Sequence, residues 1–304
     1  MLIYYKLFST PLMTQHSQFG QAEWLLNFSN SIGINKGVVF EAGAHTPKRI
    51  SNSMCFIEAG WKAILVEPYQ KYCGEWRDLS LNNVDIHCRG INYDYNGLEM
   101  LLTDINAPRD IDVFFFDIDG GEYQLLSGLH QYRPKLICVE YDNSYPLTID
   151  FVPKQIRHGI QSSSLAMYNL MTSKGYTYLR SFFHDHIFID NGVLSNVTDK
   201  IPFPIGNEAF ISTASQSLYQ FHAVLLNQQE NQGGSGIDFY SSKVANLIEN
   251  GCIKEAKNYY FMLSQVFHSY SVMVRQIRGD SYFQFYQSAL EKFDKSYSRC
   301  LFYV

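Results

Sequence analysis

The sequence has little charge. Lys, Arg, Asp and Glu make up 17% of its 304 residues, and the net charge is −5. A typical soluble domain carries about a quarter. With no arginine-rich run and no basic stripe, the chain lacks the field that gathers nucleic acid. No apolar stretch approaches the roughly 18 residues that mark a membrane span. No two cysteines stand at C-x-x-C spacing, so a zinc knuckle is not indicated. The six cysteines, Cys55, Cys73, Cys88, Cys138, Cys252 and Cys300, leave a reducing, cytoplasmic compartment as the default expectation. Met1 to Phe8 carry only Lys6 as a charge and show no cleavage site, so a secretory signal is not expected. Also missing is G-x-G-x-x-G, the tight glycine turn that a dinucleotide pyrophosphate requires.

What is present is apolar and patterned. Hydrophobic residues reach 46%, with 22 Tyr and 22 Phe, enough for an aromatic core. Four short apolar runs each stop at a carboxylate: Val38 to Glu41, Ala63 to Glu67, Val113 to Asp117 and Leu136 to Glu140. Such runs fit strands buried on both faces of a parallel sheet. Sheets of this kind bind ligands beyond the carboxyl ends of their strands. The acidic ends are therefore expected to line one crevice.

Between the runs lie helical patterns. Trp24, Phe28 and Ile32 share a face, as do Leu165, Tyr168 and Met171. A third strand is expected over Val84–Arg89, and a closing hairpin over Tyr176–Phe183 and His186–Ile189. The expected fold is α/β, a doubly wound, mostly parallel, seven-stranded Rossmann-like sheet with an antiparallel final strand, plus a C-terminal helical module. Residues 1–200 would form the sheet domain. Residues 201–236 would be a linker and connecting helix, with a glycine- and glutamine-rich run from Asn227 to Gly236. Residues 237–304 would form the helical module, through which the chain could form a homo-oligomer.

Several residues have the chemistry of a cofactor site. Gly43 lets a ligand approach the backbone after the first strand. Glu67, after the second, can accept hydrogen bonds from both hydroxyls of a ribose, each worth about 1.5–3 kcal/mol to a charged acceptor. Glu41 would repel a phosphate and suits a cationic ligand such as the sulfonium of S-adenosylmethionine. Asp119, Glu140, His45 and His158 are candidates for removing a hydroxyl proton. Asp117, Asp119 and Glu140 could together hold Mg²⁺. His184 and His186 are expected to be solvated loop residues. The triple serine Ser162–Ser164 reads as a helix N-cap.

Taken together, Val38–Ala44, Ser51–Ser53, Gly60-Trp61-Lys62 through Glu67-Pro68, Asp117-Ile118-Asp119-Gly120-Gly121-Glu122 and Pro134–Tyr141 resemble the FkbM family of class I S-adenosylmethionine methyltransferases. Ser162–Leu165 and Lys174–Tyr176 extend the resemblance, which covers about residues 35 to 190. It implies O-methylation of a sugar, glycan or natural-product hydroxyl, with S-adenosylmethionine as cofactor. It implies that Glu41 and Gly43 lie near the methionine and ribose and that Glu67 binds the ribose. Arg89 and Gly90 would lie near adenine, Ser51 and Asn52 would contact the cofactor, and Asp117 would close the methionine end. Where the family often shows Asn-Asp-Gly after the first Gly-Ala, this chain has His45-Thr46-Pro47. That departure keeps open a protein that binds the cofactor without turnover. An NAD-dependent enzyme is disfavoured by the missing glycine turn. The implied partner is a small-molecule or glycan acceptor, with no nucleic acid and no membrane span.

Overall fold

The computed structural model describes residues 16–48, 50–218, 220, 237–263 and 291. The Met1–Phe8 segment, the run from Asn227 to Gly236 and, but for Glu291, the tail pattern from Tyr282 to Tyr297 lie outside them.

Strands and helices alternate as the apolar runs predict. The order is α1 (Gln21–Ser31), β1 (Val38–Ala42), α2 (Met54–Glu58), β2 (Lys62–Val66), α3 (Gln70–Asp78), β3 (Val84–His87), α4 (Gly97–Asp104), β4 (Val113–Phe116), α5 (Glu122–Ser127), β5 (Leu136–Glu140), α6 (Ser164–Ser173), β6 (Tyr176–Phe182) and β7 (Asp185–Asp190). The seven strands form one sheet in the order β3-β2-β1-β4-β5-β7-β6. β7 runs antiparallel to both neighbours, and the β1–β5 pairs are parallel. The reversed strand thus lies inside the sheet, with β6 as the edge.

Alternation along each strand sends side chains to opposite faces. Phe40, Ile64, Phe114, Phe116, Ile137 and Val139 face Leu98, Leu101, Leu125 and Met167 from α4, α5 and α6. Val39, Ala63, Leu65, Val113, Phe115 and Cys138 face Leu25, Leu26, Phe56 and Trp76 from α1, α2 and α3. Two covered faces explain why these strands read as unbroken apolar runs. Phe114 is fully buried and stacks on Phe40 at 4.6 Å between ring centroids. Truncating it to alanine would cost about 3–5 kcal/mol. Ser163 caps α6, accepting the N–H of Ala166, as the triple serine predicts.

After β7, residues 206–214 are helical and bury Ala209, Phe210 and Ala214 against the sheet. The helix Ile237–Glu249 and a second over 253–263 carry Val244, Leu247, Ala256, Tyr259 and Leu263. These pack on Tyr145, Ile149 and Phe151 of the loop after β5. A nearly buried ion pair, Lys243 to Asp142, and a bond from Tyr259 Oη to the Ser144 carbonyl (2.8 Å) fasten them there. No helix among the described residues is long and apolar enough to cross a membrane.

Cys73 of α3 is disulfide-bonded to Cys88, which follows β3. Nothing in the cysteine spacing announces this pair. Such a bond persists in oxidising surroundings, which removes the ground for expecting a reducing compartment.

Candidate functional site

The sheet order reverses between β1 and β4, and beyond their carboxyl ends lies a cavity of about 640 Å³. Small-ligand sites commonly span about 300–1,000 Å³ and sit at this kind of switch point. The strand ends supply its wall in order: Gly43 and His45 after β1, Glu67 after β2, Arg89 and Gly90 after β3, Asp117 and Asp119 after β4, and Glu140 at the end of β5. Asn52 joins them from the start of α2. Nine of the eleven predicted site residues therefore share one cavity.

Glu41 and Ser51 do not line it. Register explains Glu41: Ala42 is level with Val66 and Phe116. Glu67 and Asp117 thus stand one residue beyond their strands, whereas Glu41 is still inside β1, level with Leu65 and Phe115. Its carboxylate turns to the start of α2 and accepts the N–H groups of Asn52 (3.0 Å) and Ser53 (3.1 Å) and the Ser53 hydroxyl (2.5 Å). Burial pushes this carboxyl up to about 7. The expectation that Glu41 faces the crevice is corrected accordingly: it anchors the first turn of α2. Ser51 Oγ accepts the Met54 N–H (3.1 Å) and is buried in the same turn.

Glu67 is 3% exposed. One oxygen accepts the His45 N–H (2.8 Å) and the other the Tyr69 N–H (2.9 Å). Each carboxylate oxygen has a second lone pair, so the group is fixed in orientation and still able to accept two ligand hydroxyls. Gly43 has a further reason to be glycine. Its φ is +82°, and a Cβ there would lie 1.8 Å from the Asp117 carbonyl, so β1 and β4 approach closely only without a side chain. His45 is also left-handed, at φ +45°. Its carbonyl takes the Trp76 indole N–H (2.9 Å) and its ring packs on Tyr72.

On the β4–β5 side the carboxylates converge. Phe116 is level with Val139, so the next residues, Asp117 and Glu140, are neighbours. Their carboxyl groups are hydrogen-bonded to each other, and burial raises both. Two such groups side by side hold one proton between them. Ligand oxygens of Asp117, Asp119 and Glu140 all lie within 4.8 Å of one another, and oxygen donors of this kind suit Mg²⁺. Asp119 adopts φ +58°. Glu122, at the start of α5, holds this loop by accepting the N–H groups of Ile118 (3.2 Å) and Gly120 (2.9 Å). Gly120 is needed because a Cβ there would meet the Arg157 carbonyl at 2.4 Å. The Gly159 N–H bonds the Asp119 carbonyl (2.6 Å), which brings His158 to the cavity.

The expectation of solvated loop histidines is corrected for both His184 and His186. His184 sits in the β6–β7 turn and lines the cavity, its Nε2 3.8 Å from Glu140. Burial lowers its pKa below the usual histidine value. His186 is fully buried in β7 between the hydroxyls of Ser164 (2.9 Å) and Ser181 (2.7 Å). Burial pushes it down to about 3. Tyr69, Tyr93 and Ile91 also line the cavity. Their only signal in the sequence is that they lie just past predicted strand ends.

The donor set fits an adenosyl sulfonium. Glu67 offers paired acceptors for vicinal hydroxyls, Asp117 and Glu140 offer a shared negative charge, and Ile91, Tyr69 and Tyr93 offer apolar surface for a base.

No family model matches the chain, and no curated protein matches it. Among solved structures it is similar to the crystal structure of monomeric WbdD at 14% identity and a TM-score of 0.36. That match covers 56% of this chain and 41% of the other. A 2.2 Å crystal structure of WbdD matches at 13% identity and a TM-score of 0.37, covering 56% and 40%. The chain thus spans about two-fifths of the length of these structures.

Proposed function

We propose that this chain is an S-adenosylmethionine-dependent O-methyltransferase of FkbM type, acting on a hydroxyl of a sugar, glycan or natural product. The observation that carries this is Glu67, oriented by two backbone N–H groups at the rim of a cavity whose far side is the Asp117–Glu140 pair. A dinucleotide would meet an acidic wall there and no glycine turn for its phosphates.

Glu67 would hold the ribose hydroxyls, with Gly43 and Asn52 alongside and Arg89, Gly90 and Ile91 toward the base. When bound, S-adenosylmethionine supplies an electrophilic methyl group on a positively charged sulfur. The charge shared by Asp117 and Glu140 favours a cation on that side. Asp119 stands outside the shared-proton pair and is exposed, so its carboxylate can take the acceptor's proton. Glu140, further fixed by the Gln161 amide, can orient the same hydroxyl. His45 lies on the β2 side against Tyr72, where it shapes the turn and reaches the acceptor less directly. Placement of the hydroxyl in line with the methyl group would supply much of the acceleration, up to about 7–11 kcal/mol in favourable cases.

The test is calorimetric titration with S-adenosylhomocysteine on the native protein and on Glu67→Ala. Loss of two charged hydrogen bonds should weaken binding at least about a hundredfold. A native protein that binds no S-adenosylhomocysteine overturns the proposal.

A further inference from the structure

On one side the cavity is walled by the edge of the sheet, where the segment after β3 is tied to α4 by the Arg89–Asp104 ion pair (3.0 Å) and packs Ile91 on the core. Among the described residues β3, four residues long, pairs only with β2 and buries none of its residues fully. The segment that follows brings Arg89, Gly90 and Ile91 to the cavity. Facing it are Glu67, Pro68 and Tyr69, which lead directly into α3. The two walls share a backbone bond from the Glu67 N–H to the His87 carbonyl (3.1 Å). Past that bond, a covalent link joins them. Cys73, whose N–H bonds the Tyr69 carbonyl (3.1 Å) one turn into α3, is joined to Cys88, the residue immediately before Arg89. Their Cα atoms lie 5.9 Å apart and their separation in sequence is 15.

The geometry points to the Cys73–Cys88 disulfide as a redox gate on the cofactor pocket: opening it frees the Arg89–Ile91 wall from α3 and weakens binding of the adenosyl ligand. This rests on the proposed cofactor. Cys73 is fully buried and Cys88 half-buried, so a dithiol reductant reaches the bond at Cys88. One thiolate of the reductant attacks Cys88 Sγ, forming a mixed disulfide, while Cys73 leaves as a thiolate and takes a proton from solvent. The second thiolate of the reductant then displaces Cys88. Two electrons pass to the cysteine pair, and the reductant becomes the disulfide. The other described cysteines do not offer this chemistry. Cys55 and Cys138 are buried, and Cys252 lies in the helical module, packed with the loop after β5. Linkage is reciprocal: a ligand that prefers the closed wall must protect the disulfide by the same factor that the disulfide favours the ligand.

The experiment is calorimetric titration of S-adenosylhomocysteine into the full chain, oxidised and after dithiothreitol, with peptide mass mapping of the cysteines in each sample. Circular dichroism checks that the reduced protein is still folded. The oxidised protein should bind about tenfold more tightly than the reduced one. Cys88→Ser should bind like the reduced protein under both conditions, and bound ligand should slow reduction of the native pair. Equal affinities for oxidised and reduced native protein overturn the gate and leave the methyltransferase reading intact. So does a mass map in which Cys73 and Cys88 are unpaired in the oxidised sample. Absence of binding in both states overturns the cofactor reading itself.

Discussion

Replacing Glu122 with glutamine should stabilise the protein, by a margin that grows as pH rises from about 5 to about 7 and then levels off. Glu122 is 1% exposed. One of its oxygens accepts the Ile118 and Gly120 N–H groups, and the other has no hydrogen-bond partner among the described residues. Burial first, with the nearby charge of Asp117 also contributing, pushes the carboxyl up to about 7. The folded state therefore holds a proton that the unfolded chain, titrating near 4.5, gives up earlier. The stability this proton represents is complete below the unfolded value and is lost as pH rises through the folded one. Once both forms are ionised the loss is about 3 kcal/mol. Glutamine keeps the oxygen that receives both N–H groups and carries no charge to bury. In urea unfolding the variant should match the native protein within about 1 kcal/mol at pH 5 and exceed it by about 3 kcal/mol at pH 8.5. Glu41, Asp117 and Glu140 titrate in both proteins, so most of their contribution cancels in the difference. A Glu122→Gln protein no more stable than the native one at pH 8.5, or equally favoured at both pH values, would refute the reasoning.

The ion pair that fastens the helical module, Lys243 to Asp142, has both side chains nearly buried. Among the described residues, Lys243→Ala leaves Asp142 with the Ser144 donors alone and should cost about 3 kcal/mol. A double-mutant cycle with Asp142→Ala should return a coupling of about 2 kcal/mol, and a value near zero would remove the pair from the docking of the module. If Asp117, Asp119 and Glu140 hold Mg²⁺, titration of Mg²⁺ into the protein saturated with S-adenosylhomocysteine should give a binding isotherm that Asp119→Asn weakens. A flat titration of the native protein would exclude the metal.

Much of the fold was readable because a strand covered on both faces must be apolar at every position. That constraint produced the runs ending at Glu67, Asp117 and Glu140, and a two-layered cover of helices leaves few other ways to bury them. The same pattern gave no register. Whether a carboxylate lies one residue past its strand, as Glu67 and Asp117 do, or inside it, as Glu41 does, depends on which residues of neighbouring strands are level. Glu122 was visible as part of a motif, but its work on the Ile118–Gly120 backbone was not, since N–H groups leave no mark in composition. His184 looked like a hairpin residue in solvent. It reaches Glu140 because β7 is inserted antiparallel beside β5, with Asp185 level with Glu140, so that the β6–β7 turn falls at the carboxyl ends of the parallel strands.

By itself, then, the sequence determined the elements, their alternation and the acidic character of the crevice, because these follow from local periodicity and burial. Only the tertiary structure decided which carboxylates meet, which one turns away into a helix start, and that Cys73 and Cys88 bond. Those outcomes depend on distances between segments that are remote in the chain, which no local pattern encodes.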